Sequence, residues 1–145
     1  MQNRLADATD PEGALPVPTS VHVFDAGVRA FCRERGIRYQ PWGVVWGNER
    51  VRLSVTVGKI ADELSGEMEA RGLEEGMSRE VAMYLCVLGL EKGGEVSLFV
   101  GSRREERMRA ALEGLEVWDD WVGQEDNREV WRGWMRQLER EVGLC

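Results

Sequence analysis

The stretch Asp25–Trp42, reading DAGVRAFCRERGIRYQPW, constrains the fold more than any other part of the chain. Asp25 suits a helix N-cap, Val28, Phe31 and Cys32 share one helical face, and Gly36 is a stop. Ile37–Trp42 then reads as a strand running into a glycine-containing loop. The pattern recurs: Met1–Leu5 reads as the end of a strand, and Val96–Val100 reads as a buried strand followed by a helix from Arg103. The order strand, helix, strand, helices, strand, helices predicts parallel βα units with right-handed crossovers.

Between these landmarks the signals are mixed. Ala6–Ser20 carries Asp10-Pro11-Glu12-Gly13 and Pro16-Val17-Pro18, the residues of a loop. Val51, Leu53, Val55 and Val57 alternate as in a strand, yet the same residues can begin the helix marked by Ile60, Leu64 and Met68. Gly76-Met77-Ser78 stops that helix and starts another, with Ser78 as N-cap. Val81, Leu85 and Leu88, flanked by Ala82 and Cys86, form its apolar stripe. Gly93-Gly94 ends it. Beyond Arg103 the chain reads as helical, with breaks near Gly114 and Gly123 and a last helix from Asn127. No internal repeat of solenoid period is present.

At 145 residues, one domain with an adequate core is expected. The net charge of -7 and pI near 4.9 argue against nucleic acid or an anionic membrane as partner. No apolar run reaches spanning length, and MQNRLADATDPEG lacks the apolar core of a signal peptide. Cys32, Cys86 and Cys145 form an odd set without CxxC or HxxxC spacing, which predicts inert thiols rather than a metal or redox site. A cytoplasmic chain is expected.

The segment Gly101–Leu112, GSRREERMRAAL, carries the chemistry. Gly101 allows close backbone approach to a ligand, Ser102 can cap the following helix, and Glu105 stands at the capping-box position. Arg103, Arg104 and Arg107 face the positive end of the helix dipole, which costs a few tenths of a kcal/mol each. That placement makes sense if an anion binds there, because free N–H groups and guanidinium forks both suit phosphate. The plainer reading is a solvated helix face with Glu105 and Arg109 as a surface pair.

Together these segments resemble the aldo-keto reductases. Asp25–Trp42 resembles the sixth helix and seventh strand of that family, especially its fungal type. Val96–Leu112 resembles its eighth strand and the helix that binds the NADPH 2′-phosphate, and Gln2-Asn3 resembles its sixth-strand segment. Order and spacing agree across most of Met1–Glu116. The resemblance implies an α/β fold: a partial (β/α)8 TIM-barrel segment of roughly the last three βα units over 1–116, then a Trp-rich helical extension over 117–145. It also implies an NADP-dependent oxidoreductase segment with weak or vestigial affinity for NADPH. Gln2 would hold the nicotinamide carboxamide and Trp42 would stack on the nicotinamide ring. Gly101 and Ser102 would meet the adenosine-side phosphate, with Arg107 as the basic residue there. Ala111 stands where the family usually has Asn, Asp or Glu near the adenine, and Gly101 replaces the Lys of many members. Without the resemblance, Trp42 reads as a buried aromatic at a strand end.

The family's catalytic Asp, Tyr, Lys and His come from the first half of its barrel, and such barrels need roughly 250 residues. No substitute is apparent in this chain. Lys59 and Lys92 lie in helical or loop context, Tyr39 is mid-strand, Tyr84 is within a helix, and His22 precedes one. Hydride transfer would lack a proton donor, so no catalytic residue is assigned and the isolated chain is expected to be inactive. Unclosed strand edges would invite self-association.

Two other readings compete. Arg52–Val57 (RLSVTV), a helix, Gly76–Arg79 and another helix resemble a ribbon-helix-helix repressor, which the acidic balance opposes. Trp118 with Trp121, and Trp131 with Trp134, are i, i+3 pairs that form apolar patches, either for a partner or over the core.

Overall fold

The computed structural model describes residues 2–4, 26–45, 48–90, 96–98, 100 and 102–142, with 2–4, 26 and 42 described by their backbone alone. The expected strand and loop residues Met1, Leu5 and 6–20, and also His22, Asp25, Lys92, Gly101 and Cys145, lie outside the described residues.

Helix α1 (Ala26–Glu34) ends as its sequence predicts. Gly36 takes φ 62°, and Ile37 N–H reaches back to Cys32 O at 2.8 Å while Gly36 N–H bonds Arg33 O at 3.2 Å. This is the paired closure of a left-handed helix end. On its face Cys32 is buried and Val28 packs on the core, but Phe31 is exposed.

Strand β1 (Gln2–Arg4) pairs in parallel with β2 (Gln40–Trp42), in the register Gln2 with Gln40 and Arg4 with Trp42. A parallel bridge links Tyr39 to Val96, where Ser97 N–H meets Tyr39 O at 3.0 Å. Three neighbouring segments thus run in one direction, but the named strands are three residues long.

The body of the protein is helical: α2 (Glu49–Arg52), α3 (Val55–Ala70), α4 (Arg79–Leu88), α5 (Glu105–Gly123) and α6 (Glu125–Glu141). Helix α3 packs against α4, α5 and α6, while α4 meets α5 and α5 meets α6. Ile60, Leu64 and Met68 on α3, Leu85 and Cys86 on α4, Val117 on α5 and Leu138 on α6 are all buried in one cluster.

This arrangement corrects the expected fold. The chain is predominantly helical, not an α/β partial TIM-barrel sector, so the TIM-barrel architecture of an aldo-keto reductase is not present. In a barrel the helices would lie outside a wall of strands. Here they bury their apolar faces chiefly on one another, and strands of three residues are too short for such a wall.

Residues 50–57 resolve as the end of α2, a break at Leu53 and Ser54, and the start of α3. Ser54 caps α3 by accepting from Val57 N–H at 3.1 Å, and Val51, in α2, is half-buried while Leu53 and Val55 are exposed. No ribbon strand forms there for a ribbon-helix-helix arrangement. Ser78 caps α4 through Val81 N–H at 3.2 Å. Helix α5 runs through Gly114 and Glu116 without a break.

Two contacts lock the helices. Gly114 brings α5 onto α4 so closely that an added Cβ would stand 2.6 Å from Val81 Cγ1 and 3.1 Å from Met77 Sδ. At the far end, Glu141 of α6 accepts from Thr56 N–H at 3.0 Å and from the fully buried Thr56 hydroxyl at 2.9 Å. Gln137 Nε2 donates to the same carboxylate at 2.8 Å. Burial pushes the Glu141 carboxyl up, but the Thr56 and Gln137 bonds and the Lys59 charge outweigh it and hold it below its ordinary 4.5.

Gly114→Ala is therefore expected to destabilise the fold by about 1–2 kcal/mol in urea unfolding, because overpacking exceeds the ~1 kcal/mol gain in helix propensity. Glu141→Ala is expected to cost about 1–2 kcal/mol, the scale of a lost helix cap. Since the folded carboxyl titrates below the unfolded one, its contribution is complete above pH 4.5 and disappears as pH falls through the lower folded value. Glu141→Gln should accordingly flatten the acid side of a stability-against-pH curve.

Candidate functional site

A cavity of about 560 Å³ lies where the loop after β2, helix α4 and the start of α5 converge. It sits beyond the carboxyl ends of the parallel segments, the usual place for a ligand when strands run side by side. Its volume falls in the roughly 300–1,000 Å³ span of small-molecule sites.

Gly43, Val44 and Val45 form one wall. Gly43 has φ 67°, which lets the chain turn out of β2. The turn is held by Asn48, itself buried, whose Nδ2 donates to Val44 O at 2.8 Å and to Gly43 O at 3.2 Å. A second wall is α4, through Glu80, Val81 and Tyr84, with Glu75 and Ser78 leading into it. The third wall comprises Val100, Ser102, Glu106, Arg107 and Ala110.

Ser102 does not cap α5. Arg104 is the N-cap residue and makes no side-chain cap bond. Ser102 Oγ accepts from Arg104 N–H at 3.1 Å instead, a local turn that competes with capping. The capping box anticipated at Ser102 and Glu105 is thus replaced by an uncapped first turn, whose N–H groups remain a source of positive potential. Glu105 pairs with Arg109 at 2.7 Å on the exposed surface. Among the described residues, no ion pair engages Arg103, Arg104 or Arg107.

The anticipated site residues are therefore only partly gathered. Ser102 and Arg107 share the third wall. Ala111 is half-buried against the core, and its neighbour Ala110 lines the cavity. Gln2 and Trp42 occupy the paired strands, Gln2 opposite Gln40 and Trp42 opposite Arg4, and their backbones are what is described. Gly101 lies outside the described residues.

Glu75, Glu80 and Tyr84 are lining residues that no motif indicated. Burial raises the Tyr84 phenol above its ordinary 10.0, with Glu80 adding to the rise and Arg107 opposing it. Phenol, carboxylate and guanidinium therefore share one electrostatic environment.

The other candidate groups lead elsewhere. The Cys86 thiol is enclosed, and burial pushes it up to about 12, so it is no nucleophile in the folded chain. Cys32 is also free and buried. Tyr39 is buried at its bridge, and Lys59 is exposed on α3. Among the described residues, no cluster of three or more His, Cys, Asp or Glu could hold a metal ion, and no helix is long and apolar enough to cross a membrane.

The tryptophans meet across α5 and α6. Trp118 and Trp131 are edge-on at 5.3 Å between ring centroids, and Trp121 stacks on Trp134 at 5.4 Å. Trp121 and Trp131 are buried, and the indole nitrogens of Trp118 and Trp131 lack hydrogen-bond partners.

No protein-family model, curated protein or solved structure matches the chain.

Proposed function

We propose that this chain binds the adenosine 2′-phosphate half of NADPH weakly and has no catalytic centre of its own. The proposal concerns the ligand site, carried here on a helical body. The supporting observation is the placement of Ser102 and Arg107 on one wall of the cavity, beside the uncapped first turn of α5. A phosphate there would accept from the Ser102 hydroxyl and the Arg107 guanidinium, and the helix dipole favours its charge.

The same geometry accounts for weakness. Glu75, Glu80 and Glu106 also line the cavity and repel an anion. Arg107 is itself exposed, so water screens part of its attraction. The cofactor when bound would supply the hydride.

In calorimetry at low salt, NADPH should bind more tightly than NADH. Arg107→Ala should weaken NADPH by about tenfold and leave NADH unchanged, since NADH lacks the contacted phosphate. Equal affinity of the unaltered chain for the two cofactors would remove the assignment.

A further inference from the structure

We propose that α4 supplies the base subsite of this cavity, with the Tyr84 ring as the platform on which the adenine of a 2′-phosphorylated adenosine stacks. The proposal rests on the phosphate assignment above and fixes which way round the nucleotide lies.

Tyr84 is the one aromatic among the described lining residues, and it is half-buried, so its ring is not wholly spent in the core. It sits one turn beyond Glu80 on the same helix face, and both line the cavity. Arg107, on α5, lines the same cavity, whose volume of about 560 Å³ has room for one nucleoside phosphate between the two walls.

Charge sets the orientation. Glu75 and Glu80 make the α4 side acidic with no cation among the described lining residues there, whereas Arg107 offsets Glu106 on the α5 side, so the phosphate is directed away from α4. The phosphate belongs at Ser102 and Arg107, leaving the uncharged base toward α4. An adenine is suited to that side, because its exocyclic amine is a donor and carboxylates only accept. Val44, Val45 and Val81 supply apolar surface around the ring.

The alternative base contact from α5 is missing. Ala111 packs against the core and carries no polar atom, and the cavity-facing Ala110 has none either. A base held in this cavity must draw its contacts from elsewhere, and α4 presents the only large flat face among the described lining residues.

The test measures binding of adenosine 2′-monophosphate, cytidine 2′-monophosphate and inorganic phosphate to the full chain and its variants by calorimetry. The unaltered chain should prefer the adenosine ligand over the cytidine ligand, and both over phosphate. Tyr84→Leu should lose about tenfold in affinity for adenosine 2′-monophosphate, the scale of one base stacked on one aromatic ring. Its affinity for inorganic phosphate should not change, and Tyr84→Phe should retain the unaltered behaviour throughout. In the unaltered chain, nuclear Overhauser contacts should join adenine H2 or H8 to a tyrosine ring, independently of whether any variant folds.

Full affinity in Tyr84→Leu, an equal loss in Tyr84→Phe, or absence of those contacts overturns the platform. If Arg107→Ala still weakens binding in that case, the phosphate assignment survives alone. If the unaltered chain binds neither nucleotide nor phosphate, both proposals fall.

Discussion

The first turn of α3 is the fastening on which the helical body depends. A helix start leaves N–H groups without intrahelical partners, and burying them unmet is costly. Here Ser54 Oγ meets Val57 N–H and Glu141 meets Thr56 N–H, so a side chain from the far end of the sequence completes the cap. Arg79 of α4 donates to Arg52 O at 2.9 Å and Ser54 O at 3.1 Å, tying α4 to the same turn. Gly58 leaves room for it: an added Cβ would stand 2.5 Å from the Arg79 guanidinium. One turn thus joins α2, α4 and α6 to α3, with an anion at the helix start where the dipole favours it.

From that turn the constraint passes to the cavity. Arg79 and Gly114 seat α4 against α3 and α5, which fixes where Glu80, Val81 and Tyr84 project. Asn48 independently fixes the Gly43–Val45 loop by binding two successive carbonyls. The walls are therefore positioned by contacts outside the cavity, leaving its lining polar groups available to a ligand. The exceptions are Ser78, whose hydroxyl caps α4, and Ser102, whose hydroxyl accepts from Arg104 N–H, donates to Arg104 O at 3.4 Å and would have to turn its proton outward to reach a phosphate.

Local chemistry was legible in the sequence, and long-range competition was not. Ser78 as a cap, Gly36 as a stop and the Ile60–Leu64–Met68 face are decided within one or two turns, and each stands where the residues indicate. Residues 50–57 were ambiguous because alternation and helical periodicity both fit them. The choice is reinforced by Glu141, a partner no local window contains. Ser102 misled because one hydroxyl can serve two nearby N–H groups, and residue type does not say which. The barrel failed for a different reason: an alternation of strand-like and helix-like segments says nothing about how many residues each strand pairs. The apolar faces of α3 to α6 satisfy one another, leaving little work for strands. Of the cavity, the motif around Ser102 and Arg107 was visible, whereas Glu75, Glu80 and Tyr84 belong to a separate part of the chain. The tryptophan pairs, spaced for two patches, instead close on each other between α5 and α6.

The parallel pairing of β1 with β2 rests on three residues from each strand, whereas α3 packs on α4, α5 and α6 and is bonded to α6 across 85 residues of sequence, from Thr56 to Glu141. Closing a long loop spends chain entropy before any contact repays it, and three residues per strand repay little. β1 is consequently held more weakly than the helices hold one another. Because β2 leads directly into Gly43, that pairing reaches the cavity through its loop wall, and the N-terminal strand acts as a brace on that wall.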